Sequence, residues 1–376
     1  MSAPTKHLHL NTQLLVRSLA LCWIITKLLC YKLWFANRLF PLVPIHDSLL
    51  EIPNTVHILF FSITLVSLLA LLIFPGKKWL AIVIIISEIL SCLLDQNRWK
   101  PWEYQFLFML LPIIFYNDEK KIKLNWQLIV AGLYFFSGLS KFNHGFVTQV
   151  WKEMILHQWL GVSTFNPWFI RLGWLLPLIE MAAGIALFFN KSRKAAVIIL
   201  CVMHLFLLLL LGPLGTHFKD AVILPWNILM PILLIHLFYK SEFDLQQLKQ
   251  KHLLAWVTIL FWWILPWLNL IGYWDNYFSS VLYSGKTQHL YICTSNINSK
   301  SIFQKDIVRT SIPSPCDSMI SVFQWSQNEI NVAPNSELRV IRSIVRQWES
   351  KYDSAGADRF FIYHPKFSAE KWVELR

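Results

Sequence analysis

Ionisable and polar side chains set inside long apolar runs are the residues of this sequence that bear on chemistry. Lys27, Glu88, Asp95, Arg98, Glu103, Lys141, His144, Glu180, His204, Asn227 and His236 all lie within or at the ends of such runs. A charged group at bilayer depth costs roughly 2.5–3.5 kcal/mol on insertion scales, so each one calls for a partner, a polar cavity or a function. Counting along helices at about 1.5 Å per residue puts Glu88, Glu180 and His204 near the midplane. Asp95, Arg98, Glu103, Lys141, His144, His217 and Asn227 come out near one surface by the same count. The expectation is an outward-facing polar rim above a mid-membrane Glu/His layer. Amine, imidazole and carboxylate in a medium of low dielectric can trade protons or hold the polar end of a ligand. The same groups are equally open to a structural role. Polar side chains tie helices together for about 0.6 kcal/mol each, Lys141 is close enough to a helix end to snorkel, and Asp95 and Arg98 can pair with each other.

Other chemistries find little support. His144, His157, His204, His217 and His236 show no His-x-x-x-His spacing, so no metal site is expected. No glycine-rich phosphate loop, nucleophile elbow or Cys-x-x-Cys occurs. The net charge of +12 comes without a basic stripe of interleaved aromatics, so nucleic acid is not an expected partner; basic loops beside anionic lipid account for it.

These residues are positioned by an apolar frame. Of 376 residues 55% are hydrophobic and 15% charged, where a soluble domain has roughly 25% charged residues. Apolar runs near 13–35, 54–75, 79–96, 102–116, 125–141, 168–190, 194–212, 219–240 and 253–273 predict an all-α polytopic bundle of about nine transmembrane helices. Trp79, Trp99, Trp102, Trp126 and Trp168 sit near span ends, as in an aromatic belt. With the N-terminus inside, the inner loops carry more Lys and Arg, including Lys77, Lys78, Lys120, Lys121, Lys123, Lys191 and Arg193. Residues 1–274 then form the membrane domain, and 275–376 a small extracytoplasmic α+β domain. In that domain 281–295 and 359–363 read as strands, 318–330 and 335–351 as helices, and a short helix ends the chain. Leu338, Ile341, Val345 and Trp348 form its apolar stripe, with Asn335 as N-cap. Cys293 and Cys316 are free to pair in an oxidising compartment.

The run Gly132-Leu133-Tyr134-Phe135-Phe136-Ser137-Gly138-Leu139-Ser140-Lys141-Phe142 resembles a motif of the vitamin K-dependent γ-carboxylase family, which shares its membrane part with bacterial HTTM-domain proteins. It is also similar to a Gly-x-x-Lys helix of DoxX-like membrane proteins. Trp151, the helix Leu178-Ile179-Glu180-Met181-Ala182-Ala183-Gly184 and Met203-His204-Leu205 extend the resemblance over roughly 100–240. The turn Leu282-Tyr283-Ser284-Gly285 also looks like bacterial members of this group. The resemblance implies that Lys141 is a base acting on a quinone or hydroquinone, with His204 and Glu180 behind it. His144, Trp151, Asn227, Asp95 and Arg98 would line the cofactor pocket. Ser140-Lys141 stands where the carboxylases have a basic pair, and only about 100 residues replace their large extracytoplasmic region, so peptide carboxylation is not expected.

The leading expectation is thus a bacterial-type inner-membrane protein with an outward pocket for a quinone-like or lipidic molecule, reached past an amphipathic stretch, 144–167. The alternative is a non-catalytic membrane subunit that supports a redox or assembly partner, a membrane or periplasmic protein, through its C-terminal domain. A transporter is the third reading, although no internal repeat supports it.

Overall fold

The computed structural model describes residues 10–162, 166–239, 243, 253–308, 315–353, 356–364 and 372–375. Its membrane part is built from α1 (Leu10–Leu29), α2 (Asn54–Ile73), α3 (Lys78–Leu94), α4 (Pro101–Phe115), α5 (Glu119–Lys141), α6 (Pro167–Leu172), α7 (Leu175–Ala186), α8 (Arg193–Leu211), α9 (Leu224–Leu234) and α10 (Leu253–Ile259). Local sequence sets several of the starts. Pro101 and Pro167 occupy first-turn positions, where no amide hydrogen is missed. Asp118 and Asn166 cap α5 and α6 by accepting from the amides of Lys120 and Trp168, each at 3.0 Å. Phe146–Trp159, inside the expected amphipathic stretch, is a π-helix that buries Phe146, Val147, Val150, Ile155 and Leu156.

Among the described residues, six helical segments are long and apolar enough to cross a membrane: Leu10–Leu29, Asn54–Ile73, Pro167–Ala186, Arg193–Leu211, Ala221–Tyr239 and Leu253–Ile271. The expected count of about nine is therefore met only in part. The three expected spans outside this set are α3, α4 and α5. The first two have 17 and 15 residues, and α5 opens with Glu119, Lys120, Lys121 and Lys123. The faces of α4 and α5 are largely buried, so they need no lipid-compatible surface and can carry the polar groups that lower their mean hydropathy.

After the last helix, five strands form an antiparallel sheet of order β2-β3-β1-β4-β5: β1 (His289–Cys293), β2 (Ile307–Val308), β3 (Met319–Ser321), β4 (Arg359–Tyr363) and β5 (Trp372–Leu375). Helices α11 (Ile297–Ile302), α12 (Val322–Ile330) and α13 (Leu338–Tyr352) complete this part. The strand over 359–363 is where the sequence places it, and Cys293 is bonded to Cys316. Other details differ. The last described residues, Trp372–Leu375, form a strand where a short helix is expected, and the apolar stripe of α13 is Val340, Ile341, Ile344 and Trp348, with Leu338 exposed. Asn335 lies two residues ahead of the cap position, Glu337, from whose amide it accepts at 3.1 Å, while its own amide donates to Asn97 Oδ1 at 3.1 Å.

That bond is one of several that mount the sheet part on one end of the bundle. Lys100 donates to the carbonyl of Ala333, Asn331 Nδ2 to the carbonyl of Leu29 at 2.9 Å, and Gln347 Nε2 to the carbonyl of Leu42 at 2.6 Å. The end of α1 at Leu29 thus touches the C-terminal part, while Leu10 lies at the far end of the same helix.

Candidate functional site

Helices α5 and α7 cross at a point built for close approach. A Cβ at Gly138 would lie 2.6 Å from the backbone N of Met181, and one at Gly184 2.7 Å from the backbone N of Phe135. Only the smallest residue lets two membrane helices come this near. Gly138 shares a helix face with Lys141, three residues on, and Glu180 shares one with Gly184, four residues on. The crossing therefore delivers Lys141 to Glu180: Nζ lies 2.8 Å from Oε2 and 3.1 Å from Oε1, and it also donates to Ser137 Oγ at 2.6 Å.

A second polar chain runs alongside. Asn227 Nδ2 donates to the carbonyl of Ile223 at 3.1 Å, which turns Oδ1 toward His204 Nδ1 at 2.9 Å. An amide oxygen only accepts, so this network assigns the proton of the imidazole to Nδ1. Nε2 is then the acceptor, and Tyr134 O–H donates to it at 2.7 Å. Both polar sets line one cavity of about 350 Å³ whose other walls are apolar. Phe146, Val150, Met154, Ile155 and Trp159 of the π-helix cover one side, and Leu282 and Tyr283 lie over it from the turn that follows the last helix. That turn is held in place: Asn143 Nδ2 donates to the carbonyl of Ser284 at 2.9 Å, and the backbones of Gly145 and Gly285 touch without room for a Cβ.

Of the eight residues assigned to the site from the sequence, the structure brings Lys141, Glu180, His204 and Asn227 together. The other four lie elsewhere. His144 is exposed and outside the cavity wall. Trp151 donates from Nε1 to the carbonyl of Phe169 at 2.7 Å and packs on Gly173, so it pins the π-helix to α6 and its C-terminal cap. Asp95 and Arg98 are fully buried in a separate network. Asp95 accepts from Arg38, from the amide of Val43 at 3.2 Å and from that of Asn97 at 3.1 Å. Arg98 donates to the carbonyl and the hydroxyl of Ser91, each at 2.9 Å, and to the carbonyl of Leu33 at 3.2 Å. Burial pushes the Asp95 carboxyl up, but Arg38 and Arg98 outweigh it and hold the group below its usual range. Lys27 Nζ meets Glu88 Oε2 at 2.8 Å and Glu103 Oε1 at 3.7 Å, and sits 3.1 Å from the centre of the Trp34 ring. The pairs join groups expected at different depths, Lys141 with Glu180 and Lys27 with both Glu88 and Glu103, because rotation about the helix axes decides which side chains meet. The expected single rim is two sites, one lining a cavity and one fastening α1, α3 and α4 together.

Tyr134 and Ser137 belong to the cavity and were passed over. The signal was present: Ser137 precedes Lys141 by four residues and Tyr134 by seven, which places all three on one helical face.

Residues 120–220 match the family model described as "Methylamine utilisation protein MauE". No curated protein and no solved structure matches the chain. The family match corrects the resemblance to the HTTM, γ-carboxylase and DoxX-like groups. Lys141, Trp151, Glu180 and His204, which carried that resemblance, all fall inside the matched stretch. The glycine, lysine and glutamate spacing is what a tight helix crossing with a paired charge requires, so it identifies a packing solution rather than a carboxylase. Over these 101 of its 376 residues the chain is similar to a membrane protein family named for methylamine utilisation.

Proposed function

We propose that this integral membrane protein is a non-catalytic accessory subunit that supports a redox or assembly partner through its C-terminal domain, 275–376. The observation that carries this reading is the mounting of that domain. Asn97, Lys100 and Leu29 on the bundle bond directly to 331–335 on the domain, which leaves α12 and β5 with apolar side chains facing outward, Phe323 and Val373 among them. The match to a family named for a metabolic utilisation system, rather than for a reaction, supports it as well. On this reading the domain lies outside a bacterial-type cytoplasmic membrane with the N-terminus inside. The basic inner loops and the Cys293–Cys316 bond support that placement.

A photo-crosslinking residue at position 323 or 373, introduced in intact cells, is expected to trap the same partner protein from both sites. Full native activity of the isolated chain in lipid vesicles, with no partner trapped, overturns the reading.

A second reading is favoured by one observation, the cavity that joins Lys141, Glu180 and His204. It is a site for a quinone-like or lipidic molecule. Lys141 is engaged with Glu180, so its role there is to donate hydrogen bonds; acting as a base would require that pair to break.

A further inference from the structure

The cavity has a side door. Leu176 and Ile179 on α7, and Ile199, Val202 and Phe206 on α8, line the cavity and are also exposed on the outside of the bundle, Val202 by 60%. Residues that belong both to a cavity wall and to an outer surface mark the place where one opens onto the other. Both helices belong to segments long and apolar enough to span a membrane, so this mouth faces hydrocarbon. The end of the cavity nearest the C-terminal domain is covered instead by Phe146 and by the Leu282–Tyr283 turn, which Asn143 holds shut.

We propose that the cavity takes an uncharged membrane lipid, with a hydroxyl or carbonyl head and a long chain, admitted sideways from the bilayer between α7 and α8. This rests on the reading of the cavity as a ligand site. The charge of the polar wall argues for an uncharged head. Lys141 and Glu180 cancel, and His204 has both ring nitrogens occupied by Tyr134 and Asn227. An anionic head would compete with Glu180 for the single ammonium and leave a carboxylate unpaired in a dry site. A hydroxyl or carbonyl head has partners. Tyr134 gives its proton to His204 and keeps oxygen lone pairs for a ligand hydroxyl, while Ser137 accepts from Lys141 and keeps its own proton for a ligand carbonyl. At about 350 Å³ the cavity is at the small end of ligand pockets, which run from roughly 300 to 1,000 Å³. It encloses the head and the start of the chain, and the rest of the chain trails through the mouth.

Two photoactivatable lipids test this in vesicles containing the full-length protein: a diazirine-bearing decyl benzoquinone and a diazirine-bearing phosphatidylglycerol. The quinone is expected to label 133–141 and 199–207. Ile199→Trp, which fills the mouth, is expected to cut that labelling by about tenfold or more. Leu205→Trp, on the exposed face of α8 away from the cavity, is expected to label like the wild type. That variant separates a blocked mouth from a damaged helix. Equal labelling of the same segments by phosphatidylglycerol overturns the uncharged head. Undiminished quinone labelling in Ile199→Trp overturns the lateral route while leaving the ligand site standing. If neither lipid labels the cavity, and short-chain benzoquinone does not protect Lys141 from amine modification, the ligand-site reading itself falls with the inference.

Discussion

Lys141 and Glu180 are half of one object. Their side chains are only 16% and 8% exposed, so each neutralises a charge that would otherwise be stranded at the cavity wall. Removing one partner from a buried pair costs about 3–5 kcal/mol, because the survivor is left uncompensated, whereas removing both can be nearly neutral. Lys141→Met is therefore expected to destabilise the protein by about 3 kcal/mol. The double variant Lys141→Met with Glu180→Gln should recover most of that loss. Thermal unfolding in detergent, followed on wild type, both single variants and the double variant, measures the coupling directly. Additive losses would mean that the two side chains act independently and that the pair organises nothing. His204 behaves differently, since Tyr134 and Asn227 satisfy it without any charge; an alanine there leaves a donor and an acceptor unpaired rather than an ion.

At the scale of elements, the α5–α7 crossing determines whether the site exists. Gly138 has backbone atoms of α7 at 2.6 Å from where its Cβ would be, a distance no side chain tolerates. Gly138→Leu must push the helices apart by more than the length of the Lys141–Glu180 bond can stretch. The expected result is a loss of about 4 kcal/mol or more, from overpacking and the broken pair together. Greater reactivity of Lys141 toward an amine reagent should accompany it. Gly138→Ala is expected to give a smaller effect in the same direction. Unchanged lysine reactivity in the leucine variant would show that the crossing does not set the pair. This crossing was half legible in the sequence. The run from Gly132 to Lys141 and the run from Leu178 to Gly184 stand out, but nothing in either says that they meet. Apolar run length located the helices of the membrane part well, but only six of the expected nine spans are long and apolar enough among the described residues; α4 and α5 face mostly protein and need not look like lipid-facing helices. Rotation about each axis is set by contacts between distant segments, such as Asp95 with Arg38, and a single sequence carries no record of it.

For the whole molecule, the arrangement of its two ends constrains orientation. Leu29, at the end of α1, touches Asn331, and Asn276, just after the last membrane helix, donates its amide to Glu337 Oε1 at 2.8 Å. The C-terminal domain therefore sits at the end of the bundle opposite Leu10. On the proposed orientation, with the basic loops inside, the domain would lie in the compartment where a disulfide persists. Cys293 and Cys316 are 23 residues apart in sequence, and a loop of that size is stabilised by about 3 kcal/mol when closed. Of the other four cysteines, Cys22, Cys92 and Cys201 lie in α1, α3 and α8, and Cys30 is buried just past the end of α1, so none of them is an exposed thiol that competes with the pair. Intact cells with a permeable outer layer, treated first with a membrane-impermeant reductant and then with an impermeant maleimide, are expected to show Cys293 and Cys316 labelled only after reduction. Labelling without reductant would mean that the bond does not form in the cell. Labelling that appears only when the membrane is broken would put the domain in the cytoplasm. In that case the partner would have to be sought on the cytoplasmic face, since the domain and the basic loops would then share a side.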